Sequence, residues 1–189
     1  MFDNLINLLH IKRIIILFVL VFSAVGVVSA QNKNLEKLIK KETKVTLKKF
    51  KSEGYELLSI GDLEYEVYQY YSNLRTLGYQ EVLGFSESRF IPNLQPMALS
   101  DALSICAIMQ AQTMKQRKIM EGADGSTMET VTTEFEKVLF DKMRAALQHG
   151  FSIYRRNEDG LFDCVSYFLL NTEMADKICE NIIATNSID

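Results

Sequence analysis

The sequence predicts an α+β fold, a small antiparallel sheet packed by helices, with a β-α-α-β-β-α core preceded by two helices. Two observations carry this. Stretches with apolar residues at helical spacing are interrupted by shorter stretches of period two, the signature of half-buried strands. Near the C terminus an Asp-Gly pair, Asp159-Gly160, lies between two apolar runs, which marks a tight hairpin and so antiparallel strands. The resulting order of elements is that of helices gathered on an antiparallel sheet.

Taken in order, residues 33–51 are expected to form a lysine-rich helix closed by Gly54. Tyr55 to Ile60 reads as a short strand or extended link. Asp62 then caps a second helix, its carboxylate accepting from free backbone N–H groups. Leu63, Val67, Tyr70, Tyr71, Leu74 and Leu77 recur at helical spacing until Gly78. Tyr79 to Ser86 alternates and predicts a strand, and Ser88 to Pro96 reads as a loop punctuated by Pro92 and Pro96. Pro96 is placed to open the next helix, since its fixed φ suits a first turn.

That helix, 97–120, carries Ala98, Ala102 and Cys106 at i, i+4 and i+8, with Ala107 and Ala111 beside them. Such small side chains let a helix lie close against a sheet or another helix. Gly122 and Gly125 break the chain, and Ser126 with Glu129 has capping-box spacing. A further helix is expected to run to about His149, with Gly150 as its C-terminal cap. Phe151 to Asn157 and Leu161 to Leu170 form the hairpin strands. The second is apolar on both sides and reads as a central strand. A last helix, Thr172 to about Ala184, turns Met174, Ala175, Ile178, Cys179 and Ile182 inward.

The first 30 residues have the three-part layout of a secretory signal peptide. Lys12 and Arg13 precede an uncharged run from Ile14 to Val28, and Val28-Ser29-Ala30 supplies small residues before Gln31. The 15-residue apolar run is shorter than the roughly 20 residues of a spanning helix. The expected organisation is therefore a signal peptide over 1–30, a lysine-rich helix over 31–53 and a single α+β domain over 54–189. The protein is expected to be exported to the periplasm or cell surface, with no transmembrane span after signal removal.

Charge is unevenly spread. Between Lys33 and Lys51 eight lysines face Glu36 and Glu42, a net charge of +6, whereas the remainder of the exported chain carries −10. Lys40, Lys41, Lys44 and Lys48 are the candidate contacts on this helix. They suit either an anionic lipid or glycan surface or a solvated helix that offsets an acidic body. Tyr65, Tyr68, Tyr70 and Tyr71 crowd the second helix. An apolar ring with a polar tip suits a partner surface or a half-buried face equally. Tyr65, Tyr68 and Tyr71 are the binding candidates.

Familiar chemistries lack their motifs. The exported chain has one histidine, His149, so a zinc site built on several histidines is excluded, and Cys106, Cys164 and Cys179 lack C-x-x-C spacing. No metal or cofactor is implied. There is no G-x-S-x-G nucleophile elbow and no glycine-rich phosphate loop. Neither a catalytic residue nor a nucleic-acid partner is expected. Arg155 and Arg156 are consecutive on a strand and so face opposite sides, which argues against a joint anion clamp. Cys106 reads as core, and Cys164 and Cys179 as two buried free thiols or as a disulfide if the last helix packs on the last strand.

Several stretches together resemble a group of exported proteins of Bacteroides-type bacteria: Phe50-Lys51-Ser52-Glu53-Gly54-Tyr55, Gly61-Asp62-Leu63-Glu64, the spaced Ala98, Ala102 and Cys106, Tyr154-Arg155, and Asn171 with Ala175. More remotely, the half from Tyr79 onward is similar to the twenty-kilodalton surface lipoproteins of Helicobacter and to the N-terminal domain of the flagellar T-ring assembly protein. The chain departs from the lipoproteins in having no cysteine near the cleavage site to take a lipid. The resemblance implies a non-enzymatic envelope or assembly module; together with the lysine-rich helix, the expected partner is an envelope protein or an anionic envelope surface. The alternatives carried from the residues themselves are a small-ligand binder and, behind it, a hydrolase.

Overall fold

The computed structural model describes residues 33–120 and 136–185. The signal-peptide stretch, the Gly122–Gly125 linker and the Ser126–Glu129 capping box lie outside the described residues. Chain order is helix α1 (33–53), strand β1 (Glu56–Leu57), α2 (Leu63–Thr76), β2 (Gln80–Ser88), α3 (Ile91–Met120), α4 (136–143), β3 (Leu147–Arg156), β4 (Phe162–Leu170) and α5 (Thr172–Thr185). The strands form one antiparallel sheet in the order β1-β3-β4-β2. This is the α+β architecture expected from the sequence.

The described chain divides at Lys41/Glu42. Within the part up to Lys41, Lys40 pairs with Glu36 one helical turn away. From Glu42 onward the protein is one compact unit built in three layers.

Strand alternation sorts the two faces of its sheet. On one, Val82, Phe168 and Leu170 meet Ala102, Cys106, Ala107 and Ala111 of α3, Leu139 and Met143 of α4, and Ala175, Cys179 and Ile182 of α5. On the other, Phe151, Ile153 and Leu169 meet Leu47 and Phe50 of α1 and Val67 and Tyr70 of α2. Because β4 sits between β3 and β2 and has a helical layer on each face, both sets of its side chains are mostly apolar, with Ser166 and Asp163 the exceptions.

The hairpin forms where Asp159-Gly160 predicts it. Asn157 N–H donates to Leu161 O at 2.8 Å, Gly160 N–H donates to Asn157 O at 3.1 Å, and Gly160 takes φ 78°, which a side chain would strain. Asp62 caps α2 as expected, its Oδ1 accepting from Tyr65 N–H at 3.0 Å.

Four expectations are corrected. First, α3 starts at Ile91, not after Pro96, and Pro96 lies inside it. Pro92 falls in the first turn, where no intrahelical donor is needed. The carbonyl that Pro96 leaves without an amide belongs to Pro92, an exposed residue. Leu94 and Ala98, both fully buried, hold this early part of the helix to the sheet.

Second, α4 ends at residue 143, so His149 and Gly150 stand in β3 and not at a helix terminus. The apolar positions Met143, Ala146 and Leu147 keep helical spacing, but from Leu147 onward the backbone groups pair with β4, a ladder that outweighs one more helical turn. A β-bulge lies between His149 and Phe151. Gly150 is needed for space: a Cβ there would meet the Tyr70 ring at 2.5 Å and Tyr167 O at 3.0 Å.

Third, Met174 is exposed on α5, while Ala175, Cys179 and Ile182 face inward. Fourth, only Glu56 and Leu57 of the Tyr55–Ile60 stretch pair as strand, against Tyr154 and Ile153.

Candidate functional site

The two helices on the outer side of the sheet bring most of the candidate contact residues into one layer. Within the unit from Glu42 onward, α1 and α2 run antiparallel. Glu42 takes Arg75 on both carboxylate oxygens, with Nε at 3.1 Å, and Thr46 Oγ1 meets Tyr71 OH at 2.8 Å. Continuing that register places Lys49 level with Tyr68 and Ser52 level with Tyr65.

The four tyrosines of α2 separate by helical phase. Tyr70 is fully buried. Its hydroxyl donates to Glu81 Oε2 at 2.9 Å, and burial with the Glu81 charge pushes its pKa far up. Tyr71 is half-buried against the same core, and burial raises its pKa as well. These two rings are structural. Tyr68 is half-buried, and Tyr65 is 60% exposed. Of the three tyrosine candidates, Tyr65 and Tyr68 therefore present ring surface outward, and Tyr71 is held by Thr46.

The lysines separate in the same way. Lys40 and Lys41 are exposed in the part of α1 up to Lys41, and Lys40 is paired with Glu36. Lys44, Lys48, Lys49 and Lys51 are exposed in the compact unit, and among the described residues no carboxylate pairs with them. Val45 lies among them, 63% exposed. A helix that buries Leu47 and Phe50 on one side necessarily turns positions 44, 45, 48 and 49 outward. The result is a set of exposed ammonium groups on α1 in the same helical layer as the exposed Tyr65 of α2, suited to an anionic partner.

A second polar group crosses the sheet on the α3 side. His149 Nε2 lies 2.8 Å from Ser152 Oγ, Ser152 Oγ 2.7 Å from Ser166 Oγ, and Ser166 Oγ 3.7 Å from Cys164 Sγ. The His149 ring packs edge-on to Phe168 and also meets Gln95 Nε2 at 3.3 Å. Ser152 and Ser166 are buried, so this chain satisfies core polar groups and does not present a nucleophile to solvent. Sequence reasoning missed it because the bulge brings His149 to Ser152.

Arg155 pairs with Asp163, its partner across β3 and β4, at 3.4 Å, and lies over the Tyr55 ring at 4.8 Å. Cys106, Cys164 and Cys179 are all buried, and no disulfide links them to one another. Among the described residues no helix is long and apolar enough to cross a membrane, and no three His, Cys, Asp or Glu side chains are grouped to hold a metal ion.

The buried groups set a pH dependence for stability. Burial pushes the Cys106 thiol up to about 11 from 9.0, and raises Cys164 and Tyr167. A folded pKa above the unfolded one gives stability that is full below the unfolded value and lost as pH rises toward the folded one. Partial desolvation of its ring pushes His149 below 6.5 although the residue stays exposed, against the opposing pull of Glu66, so its contribution is small, present above 6.5 and lost as pH falls. Urea midpoints are therefore expected to be level between about pH 7 and 9 and to decline on both sides. A midpoint that rises between pH 9 and 10.5 would contradict this burial.

Comparison of the chain with family models, with curated proteins and with solved structures found no match.

Proposed function

We propose that the chain is a non-catalytic, exported cell-envelope protein, an interaction or assembly module that docks through the outer face of α1 and α2. The observation that carries this reading is the joint exposure of Lys44 and Lys48, unpaired, in the same helical layer as Tyr65 and Tyr68. Ammonium groups draw an anionic surface by long-range attraction. Tyrosine rings add contact area with few rotatable bonds, and their hydroxyls bond a polar partner. The secretory layout of the first 30 residues and the resemblance to exported envelope proteins support the location. The partner is an envelope protein or an anionic envelope surface.

The test is cross-linking in intact cells on the tagged full chain, followed by mass spectrometry of the captured species. An envelope component linked through Lys44, Lys48 or their neighbours is the expected result. Replacing Lys44 and Lys48 by Ser, in a protein of unchanged thermal unfolding, is expected to reduce that capture by roughly fivefold or more, since each lysine near an anionic surface is worth about 1 kcal/mol. Undiminished capture by this variant would remove α1 from the contact surface.

A further inference from the structure

The sheet has two edges, and they are finished differently. On one side β3 is covered over two residues by β1 and is bent by the bulge at His149. On the other side β2 pairs with β4 along all nine of its residues, and among the described residues no strand pairs with its outer edge. The N–H of Phe85 shows which groups point outward, because it donates to the Asp101 carboxylate of α3 at 2.9 Å and not to β4. Antiparallel strands alternate the direction of their backbone groups from residue to residue. The outward set is therefore that of Glu81, Leu83, Phe85 and Glu87.

The side chains of these four residues also share one face, opposite the face on which α3 lies against Gly84. Phe85 is 54% exposed and Leu83 half-buried. Glu81 and Glu87 are exposed, each accepting from a neutral donor, Tyr70 OH and Asn157 Nδ2. With Asp101 they line the edge with three carboxylates around an apolar centre. A second copy pairing antiparallel with Leu83 opposite Phe85 would set Glu81 opposite Glu87 twice, which is repulsive.

We propose that the outer edge of β2 accepts an extended segment of a partner protein as a fifth strand, whose backbone takes over the Phe85 N–H from Asp101, and that this segment alternates basic, apolar, apolar and basic residues along one face. Its basic residues lie opposite Glu87 and Glu81 and its apolar residues opposite Phe85 and Leu83. The backbone ladder supplies affinity, and the charge and apolar pattern supplies selectivity. This surface is independent of the α1–α2 face, so either reading can fail without the other.

The test uses the full chain and three fluorescent seven-residue peptides, followed by anisotropy. The first has lysine at both ends, valine at its third and fifth positions and threonine or serine between. The second has glutamate in place of lysine. The third is the lysine peptide N-methylated on the amides that would pair with β2. Saturable binding of the first, roughly tenfold tighter than the second, is expected from reversing two cross-strand charge pairs. The third is expected not to bind, because methylation removes the ladder donors. A Glu81→Lys/Glu87→Lys variant is expected to reverse the preference between the first two. Equal binding of the N-methylated peptide, or no binding of the lysine peptide at millimolar concentration, would overturn the proposal with the unaltered protein alone.

Discussion

Gly84→Ala is expected to lower the unfolding free energy by about 3 kcal/mol, at the upper end of overpacking effects. Gly84 lies on β2 where α3 passes closest. A Cβ there would stand 2.0 Å from Ala98 O and 3.1 Å from Ala102 Cβ. The carbonyl belongs to the α3 backbone, so relief requires the whole helix to move from the sheet and not one side chain to turn. Ala98, Ala102 and Cys106 lie along the same fully buried row, and they would lose contact together. Urea unfolding measures this directly. A loss under about 1 kcal/mol would mean that α3 does not lie this close to the sheet.

Phe50→Ala is expected to cost about 3–5 kcal/mol, as truncating a buried aromatic residue does. Phe50 is 2% exposed. Its ring meets Tyr55, Phe151 and Tyr167 with centroids 6.2, 6.1 and 5.8 Å away. Phe151 and Tyr167 themselves stack at 4.5 Å across the β3–β4 pair, so Phe50 closes an aromatic group that joins α1 to the sheet. Replacing Lys44 and Lys48 by Ser on the opposite side of the same helix is expected to change stability by less than about 0.5 kcal/mol per site. The contrast separates the two faces of α1. A small effect for Phe50→Ala would mean that α1 is an appendage, and a large effect for the lysine changes would mean that they serve the fold and not a partner.

The helices were legible where a single periodic stripe spans several turns. Val67 and Tyr70 are buried on α2 as their spacing requires, and Ala98, Ala102 and Cys106 are buried on α3. The hairpin was legible because Asp159-Gly160 meets a local requirement of the backbone. Element boundaries were less so. Pro96 gave a start signal for α3, yet the helix begins earlier because Leu94 finds a buried place against the sheet, with its carbonyl accepting from Ser86 Oγ at 2.7 Å. His149 and Gly150 gave the signal of a helix end, yet pairing with β4 draws them into a strand.

The candidate surface divided along the same line. Composition named the tyrosines and lysines, but only packing separated Tyr70 and Tyr71, which the core cluster holds, from the half-buried Tyr68 and the exposed Tyr65. The open edge of β2 had no sequence signal. Which strand lies at an edge follows from long-range pairing, and Tyr79 to Ser86 would alternate equally well in the middle of a half-covered sheet.

By itself the sequence determined the α+β class, the hairpin, the cap of α2 and the concentration of positive charge in one helix. Each of these depends on residues close together in the chain, where period, turn chemistry and charge act locally. The tertiary structure decided the strand order, the ends of α3 and α4, the His149–Ser152–Ser166 contacts and the exposure of each tyrosine. Those depend on which distant surfaces exclude water from one another, a competition settled among all the elements at once and written in no single stretch.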